Sequence, residues 1–527
     1  MKVFLLYPNH EFEGQKSYEN QKEIIKDLNL DVIFRAAARE LSPLTEKKEV
    51  KKPDVFIEDV MRKVMMVPMV RKEEVLYRQN IVRDSLTHQK EVTLLYGMAN
   101  AAWDDILKHR ESLKERHNKH EENSMMTVSK FELIKRIVEH YERCSNYIKE
   151  ITQLQWRNEM LSFFNRFQEE YNPEFSSLLK ETITDMEGFL SSGSITYSAT
   201  LGQGMKQLDL KIISVKHNSF QNRKKNVALE EESSSMKWYH LFYQPEVIQM
   251  KEETILREAQ SIENRMFEYL LAYFDDFVKN SITFFEQLHI QLAFMVGCIQ
   301  LSERMLRFGL NYCYPEVLLQ EQRDYKFHKL YELSMGLLMQ KHPVSNSLNG
   351  VNQWLYIITG ANQGGKSTYL RSIGIAQIMM QSGMFVPADG YVSNLCSKVF
   401  THFTRREDSS MNSGRLDEEL KRMDSILRSM TSDSLLLLNE SFATTTEKEG
   451  SMIAEDLVQA LYEAGIKICM VTHLLQFAND MYNKNLTHAK FLSAERKDSG
   501  ERTYRMIEHI PSATSFGLDL YDDIIQS

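Results

Sequence analysis

The run Gly360-Ala361-Asn362-Gln363-Gly364-Gly365-Lys366-Ser367-Thr368 fits the pattern G-x-x-x-x-G-K-[ST] without a mismatch. Four fixed positions should match by accident only about 0.02 times in a chain this long, so the run is read as a phosphate cradle and not as a glycine-rich turn. Gly360, Gly364 and Gly365 let the backbone wrap closely around a polyphosphate and aim its N–H groups at it, and the following helix adds the positive end of its dipole. Lys366 would reach the β- and γ-phosphates, and Ser367 would offer its hydroxyl to Mg²⁺. A second group stands at Asn439-Glu440, directly after the apolar run Ser434-Leu435-Leu436-Leu437-Leu438. An apolar strand that ends in an acidic pair is where nucleotide-hydrolysing sites hold the metal and the attacking water. Glu440 keeps the base, while Asn439 keeps an oxygen ligand without the charge. Third comes Thr472-His473, closing the apolar run Lys467-Ile468-Cys469-Met470-Val471. A histidine there can sense or polarise a γ-phosphate. ATP and Mg²⁺ are the expected cofactors of this set.

The elements that must position these groups read as β and α in alternation, which calls for a mostly parallel sheet. Trp354-Leu355-Tyr356-Ile357-Ile358 reads as a buried strand entering the loop, and Tyr369-Leu370-Arg371-Ser372-Ile373 opens the helix that leaves it. The expected fold class is an α/β P-loop domain at the C-terminus, residues 325–527, preceded by a mainly α-helical core or lever region with a small β insertion. From Tyr18 to Lys180 the text is charged and nearly free of glycine, with apolar residues at helical spacing; the first helical part is taken as 1–185. Within it His109, His117 and His120 read as a solvated helix face, not a metal site. Between 186 and 244 the alternation of Ser194 to Leu201 and Leu208 to Val215 predicts antiparallel strands, with Trp238 to Tyr243 as a closing strand. The basic residues Lys216, His217, Arg223, Lys224 and Lys225 fall at the tip of that insertion, and Arg223, Lys224 and Lys225 are the candidates for contact with nucleic-acid phosphates. Segment 245–324 carries no proline or glycine from Glu246 to Val296, which predicts one very long helix or two stacked ones, with Phe284, Phe285 and Phe294 as core.

With 527 residues the chain exceeds one compact core. Its formal net charge of −9 excludes a global basic field, so nucleic-acid binding must come from a local surface. Cys144, Cys298, Cys313, Cys396 and Cys469 are far apart and form no C-x-x-C, which reads as reduced thiols of a cytoplasmic protein. No run of about 18 uninterrupted apolar residues occurs, and no membrane partner is expected.

The three chemical groups and their connections resemble the ATPase domain of the MutS family of DNA mismatch-repair proteins, an ABC-type ATPase. The family's G-P-N-M-G-G-K-S-T is matched by Gly360 to Thr368, and its G-x-[YF]-V-P-A by Gly383-Met384-Phe385-Val386-Pro387-Ala388. Its D-E-I-G-R-G-T-S-T-x-D-G is matched in length by Asn439 to Gly450, and its A-T-H by Val471-Thr472-His473. His342-Pro343-Val344 and Thr514-Ser515-Phe516-Gly517 are also similar to that family. The resemblance implies an ATP-dependent DNA-binding protein acting in mismatch repair or recombination as a nucleotide-gated clamp. It also implies a homodimer through the ATPase domains and double-stranded or structured DNA as partner. Two alternatives stay open: remodelling of branched nucleic acid or a ribonucleoprotein, and a nucleotide-dependent scaffold or defence component with little hydrolysis. The sequence also departs from the family. Asn412 to Leu420 stands where the family carries S-T-F-x-x-E-M, whose serine completes the partner subunit's site, and Ser413 is the candidate for that role. Phe56-Ile57-Glu58 lacks the α/β surroundings of the family's mismatch-reading domain, which is expected to be absent, as are a C-terminal helix-turn-helix and nuclease domain.

Overall fold

The structure is a computed structural model that describes residues 1–10, 12, 16–38, 52–118, 123–192, 194–201, 207–216, 252–404, 414–496 and 502–511. Arg223, Lys224, Lys225, His217, Ser413, the segment 238–243 and the segment 514–517 lie outside them. In order, the chain begins with helices α1 (Gln21–Asp27), α2 (Leu30–Ala38), α3 (Lys52–Met65), α4 (Lys72–Thr87), α5 (Gln89–Asn118), α6 (Asn123–Ile151), α7 (Asn158–Glu170) and α8 (Pro173–Ser192). A hairpin follows, β1 (Ser194–Leu201) and β2 (Gln207–Lys216), and then one helix of 56 residues, α9 (Glu252–Arg307). Strands β3 (Glu316–Leu318) and β4 (Tyr325–Leu330), helix α10 (Leu333–Met339), strands β5 (Asn346–Gly350) and β6 (Leu355–Thr359) and helix α11 (Lys366–Gln381) come next. The remainder is β7 (Gly390–Asn394), β8 (Val399–Phe403), α12 (Arg415–Ser429), β9 (Leu435–Asn439), α13 (Glu447–Glu463), β10 (Lys467–Val471), α14 (Leu475–Asn483), β11 (Ala489–Arg496) and β12 (Arg502–Glu508).

These elements form two compact units, each assembled from separate stretches of chain. The first comprises Met1, 98–153 and 164–286. Its interior is aromatic: Tyr141 stacks on Tyr171 and on Phe284, both at 5.3 Å, and Phe284 meets Phe285 edge-on at 5.3 Å. Phe284 and Phe285 are buried, so the aromatic face of α9 is core here and not a platform for bases. β1 and β2 pair antiparallel from Ser194 opposite Lys216 to Leu201 opposite Gln207, as the alternation in the sequence predicts.

The second unit comprises 2–97, 154–163 and 287–527. At its centre lies a six-stranded sheet of order β12-β11-β6-β10-β9-β8, parallel except for β12. The four strands β6, β8, β9 and β10 are buried almost throughout, as parallel strands covered on both faces must be; β6, β9 and β10 are mainly large apolar residues, while β8 also buries Thr401 and His402. A second sheet of order β3-β7-β4-β5 includes β3, which starts at Glu316. Helix α11 lies close on the large sheet, because a Cβ on Gly374 would stand 2.7 Å from Leu437 and 2.8 Å from Leu28. The apolar part of α9, Phe274–Arg307, is long and apolar enough by composition to cross a membrane, yet 78% of its most apolar window is buried within the protein. Phe56 lies in α3 with its ring stacked on His289 at 4.1 Å. The five cysteines are free, and burial pushes the thiols of Cys144, Cys313 and Cys469 up to about 12.

Candidate functional site

Register brings the three chemical groups together. Val471 on β10 stands opposite Ile358 on β6 and, on its other side, opposite Asn439 on β9. The residues that follow these three, namely Thr359-Gly360, Thr472-His473 and Glu440, therefore leave the same sheet edge side by side at the ordinary strand spacing. Backbone bonds fasten the edge: Thr472 N donates to Ile358 O at 3.1 Å and Glu440 N to Val471 O at 2.8 Å.

The loop between β6 and α11 needs its glycines for conformation and for space. Gly360 has φ +113° and Gly365 φ +88°, both in the left-handed region, and a Cβ on Gly360 or Gly364 would stand 2.9 Å from atoms of Ala494 or of the loop itself. Gln363 adopts φ +61° there without being glycine. Lys366 is 4% exposed, and its Nζ donates to Gly360 O at 2.8 Å and Ala361 O at 3.0 Å. Burial holds its ammonium below the usual lysine range, and the charge of Glu440 offsets that only in part. A buried cation whose hydrogen bonds go to neutral carbonyls is set for an anion. Ser367 Oγ donates to Asn439 Oδ1 at 2.8 Å, so two neutral oxygens from separate elements converge at the start of α11.

Glu440 and Phe442 carry φ +55° and +65°, left-handed conformations that cost a side-chain-bearing residue about 1–3 kcal/mol each. Strand-side contacts hold this turn: Thr404 N donates to Asn439 O at 3.1 Å and Thr404 Oγ1 to Glu440 O at 2.6 Å. On the other side, a Cβ on Gly450 of α13 would stand 2.4 Å from Phe442 O, so only glycine allows that approach.

A cavity of about 610 Å³ opens over the loop, lined by Asn362 to Tyr369, by Glu440, and on its apolar side by Tyr331, Met335, Met339 and His342. His473 is half-buried at the end of β10 and does not line it. Two contributors had no signal in the sequence reading. Tyr504 of β12, at φ +59°, lies against Gly365 and lines the cavity, and Arg502 Nη1 donates to Gln363 Oε1 at 3.0 Å. Both come from a strand nearly 140 positions downstream of the loop, a juxtaposition that only the sheet order creates. Met335 and Met339 recur at helical spacing on α10, and His342 entered the reading only as part of a boundary. Among the described residues no group of three or more His, Cys, Asp and Glu could hold a metal ion.

The family model described as MutS domain V matches residues 356–523, and that described as MutS2 N-terminal domain matches residues 71–308. Both matches are to MutS-type families, and over these two stretches the chain is similar to the MutS family. DNA mismatch repair protein MutS of Clostridium kluyveri is 34% identical over 152 residues, 28% of this chain and 17% of the relative. Endonuclease MutS2 of Ruminiclostridium cellulolyticum is 30% identical over 177 residues, 32% of this chain and 22% of the relative. DNA mismatch repair protein MSH3 of Phaeosphaeria nodorum is 24% identical over 419 residues, 76% of this chain and 36% of the relative. The matched stretches thus span well under two thirds of each relative's length.

Proposed function

We propose that this chain is an ATP-dependent DNA-binding protein of the MutS type, a slow ATPase whose nucleotide-bound ATPase domains pair as a homodimer and gate a clamp on DNA. The observation that carries the reading is the convergence of Lys366, Ser367, Asn439 and Glu440 at one sheet edge. The residues present fit a nucleoside triphosphate with Mg²⁺: a glycine cradle that a Cβ would fill, a buried ammonium without a bonded carboxylate, and two adjacent oxygen donors. Lys366 and the N–H groups of 361–368 neutralise and orient the phosphates. Ser367 and Asn439 would hold the metal, which when bound offsets charge on the phosphate oxygens. Glu440 orients the attacking water and takes its proton; His473 stands at the end of β10 beside this edge but outside the cavity lining, so any action of its ring on the terminal phosphate would be indirect. The apolar wall of Tyr331, Met335, Met339 and His342 suits a purine ring.

DNA binding follows from the family and from the basic residues Arg223, Lys224 and Lys225, with Ser413 as the candidate that completes a partner's site. The test is a binding panel across homoduplex, mismatch, junction and RNA, with and without ATP and over a salt series. Duplex or mismatched DNA should bind best, with strong salt dependence, and changing Arg223, Lys224 and Lys225 together to glutamate should weaken it across sequences alike. Nucleic-acid binding indifferent to ATP would overturn the reading. A second reading, a nucleotide-dependent scaffold with little hydrolysis, is favoured by one observation: the partner of Ser367 is an amide and not a carboxylate. Steady-state phosphate release separates the two.

A further inference from the structure

We infer that Glu419 is a positioning residue for Glu440, locking the strained turn that aims it; the inference rests on the reading of Glu440 as the base. Glu419 lies in the first turns of α12 and is 7% exposed, a burial that a carboxylate tolerates only when its oxygens are bonded. Both are. Oε1 accepts from Phe442 N at 2.7 Å and Oε2 from Thr444 Oγ1 at 2.7 Å.

Phe442 is the second left-handed residue of the turn and Glu440 the first, so the carboxylate grips the turn at its strained point, two positions past the base. Strained residues persist only when their surroundings over-determine them. Glu440 itself is held from the strand side by Val471 O and Thr404 Oγ1, and Glu419 supplies the opposing hold. A second link runs in parallel. His402 Nε2 lies 3.2 Å from Glu419 O, His402 Nδ1 lies 2.7 Å from Ser441 Oγ, and Ser441 Oγ lies 3.0 Å from His402 O. Helix α12 therefore reaches Phe442 and Thr444 through the Glu419 side chain, and Ser441 through its backbone by way of His402.

Steady-state ATP turnover by the full chain, together with binding of a fluorescent non-hydrolysable nucleotide, tests the assignment. Glu419→Ala should lower kcat by about 10- to 100-fold, as misplaced catalytic groups do, while leaving nucleotide affinity unchanged. Glu419→Gln keeps an acceptor for Phe442 N and should restore most of the loss, and Thr444→Val should cost only a few-fold. If Glu419→Ala does not fold, these two variants carry the test. Wild-type kcat in Glu419→Ala alongside an inactive Glu440→Gln would sink the positioning role and leave the base assignment standing. Equal turnover by wild type and Glu440→Gln would sink both. Parallel loss of kcat, nucleotide affinity and thermal stability, not rescued by glutamine, would reduce Glu419 to a strut.

Discussion

The loop between β6 and α11 and the turn after β9 leave one sheet edge side by side, yet they are built on opposite principles. The loop places glycine at Gly360 and Gly365, two of the three positions where its backbone enters the left-handed region, and only Gln363 carries a side chain there, so most of its conformation is unstrained and local. The turn places Glu440 and Phe442 in the same region and relies on Thr404, Val471 and Glu419, all distant in sequence, and on the close approach at nearby Gly450 to hold them there. A cradle made of backbone can be written in consecutive residues. A side chain that must point in one direction has to be held from outside.

The largest expected effect falls on the strained side. Glu440→Gln should reduce ATP turnover by about 10²- to 10⁴-fold, the usual contribution of a positioned base, while nucleotide stays bound. The variant should accumulate as an ATP-bound dimer visible by light scattering. Undiminished phosphate release would mean that the turn's strain serves something other than hydrolysis.

On the loop side, Lys366→Ala should weaken triphosphate binding by roughly 10- to 100-fold, the worth of a charge-assisted contact. Thermal stability should hold or rise. Folding depresses the pKa of Lys366, so its charged form is penalised at neutral pH, and that penalty fades as pH climbs from the folded value to the unfolded one. The same depression has a consequence for binding with the opposite sign. The ammonium that meets the phosphates begins to lose its proton below the ordinary lysine range, so affinity should start to fall there as pH rises. Affinity measured by calorimetry across alkaline pH would contradict this if it stayed level until lysines ordinarily titrate.

Two glycines sharpen the contrast on the stability scale. Gly450→Ala drives a Cβ into the carbonyl of Phe442 and should cost about 1–3 kcal/mol, with turnover falling alongside. Gly97→Ala, at an exposed position of α5 with nothing within 4 Å of an added Cβ, should instead stabilise by about 0.5–1 kcal/mol. Thermal melts of the pair check both; a Gly450→Ala protein as stable as wild type would show that α13 can retreat from the turn.

What could be seen in the sequence follows the same divide. Gly360 to Thr368, the β1 and β2 alternation and the buried runs of β6, β9 and β10 are all signals within a few residues, and each element appears where its pattern lies. The 56-residue α9 was legible as helix, because no proline or glycine interrupts Glu246 to Val296, but not as one helix in place of two. At Gly297 it packs closely on α3, where an added Cβ would stand 2.6 Å from the side chain of Met61. The joining of 2–97 with 287–527 in one unit has no counterpart in composition. Within the site, Tyr504, Arg502 and Glu419 were invisible because each reaches its place through sheet order or a helix approach, not through spacing.

The smallest expected effect is the most specific, because it changes one atom where loop and turn meet. Ser367 Oγ donates to Asn439 Oδ1 across 2.8 Å, so the amide already presents an oxygen where a metal bound to Ser367 would seek its next ligand. An amide oxygen ligates a hard cation, but it lacks the charge with which a carboxylate retains Mg²⁺. Asn439→Asp should therefore lower the Mg²⁺ concentration for half-maximal turnover, with little change in kcat at saturating Mg²⁺, because Glu440 and its turn are untouched. The shift should be a few-fold, since a dissociable ion exposed to water gains only part of a full charge interaction. The added carboxylate also stands near the buried Lys366, so triphosphate affinity measured without Mg²⁺ should fall slightly as the new charge repels the phosphates. A Mg²⁺ titration of both proteins distinguishes this from the scaffold reading. If Asn439→Asp moved kcat from nothing to something at every Mg²⁺ concentration, the asparagine would be a switch that silences hydrolysis, and the site would work by holding nucleotide alone.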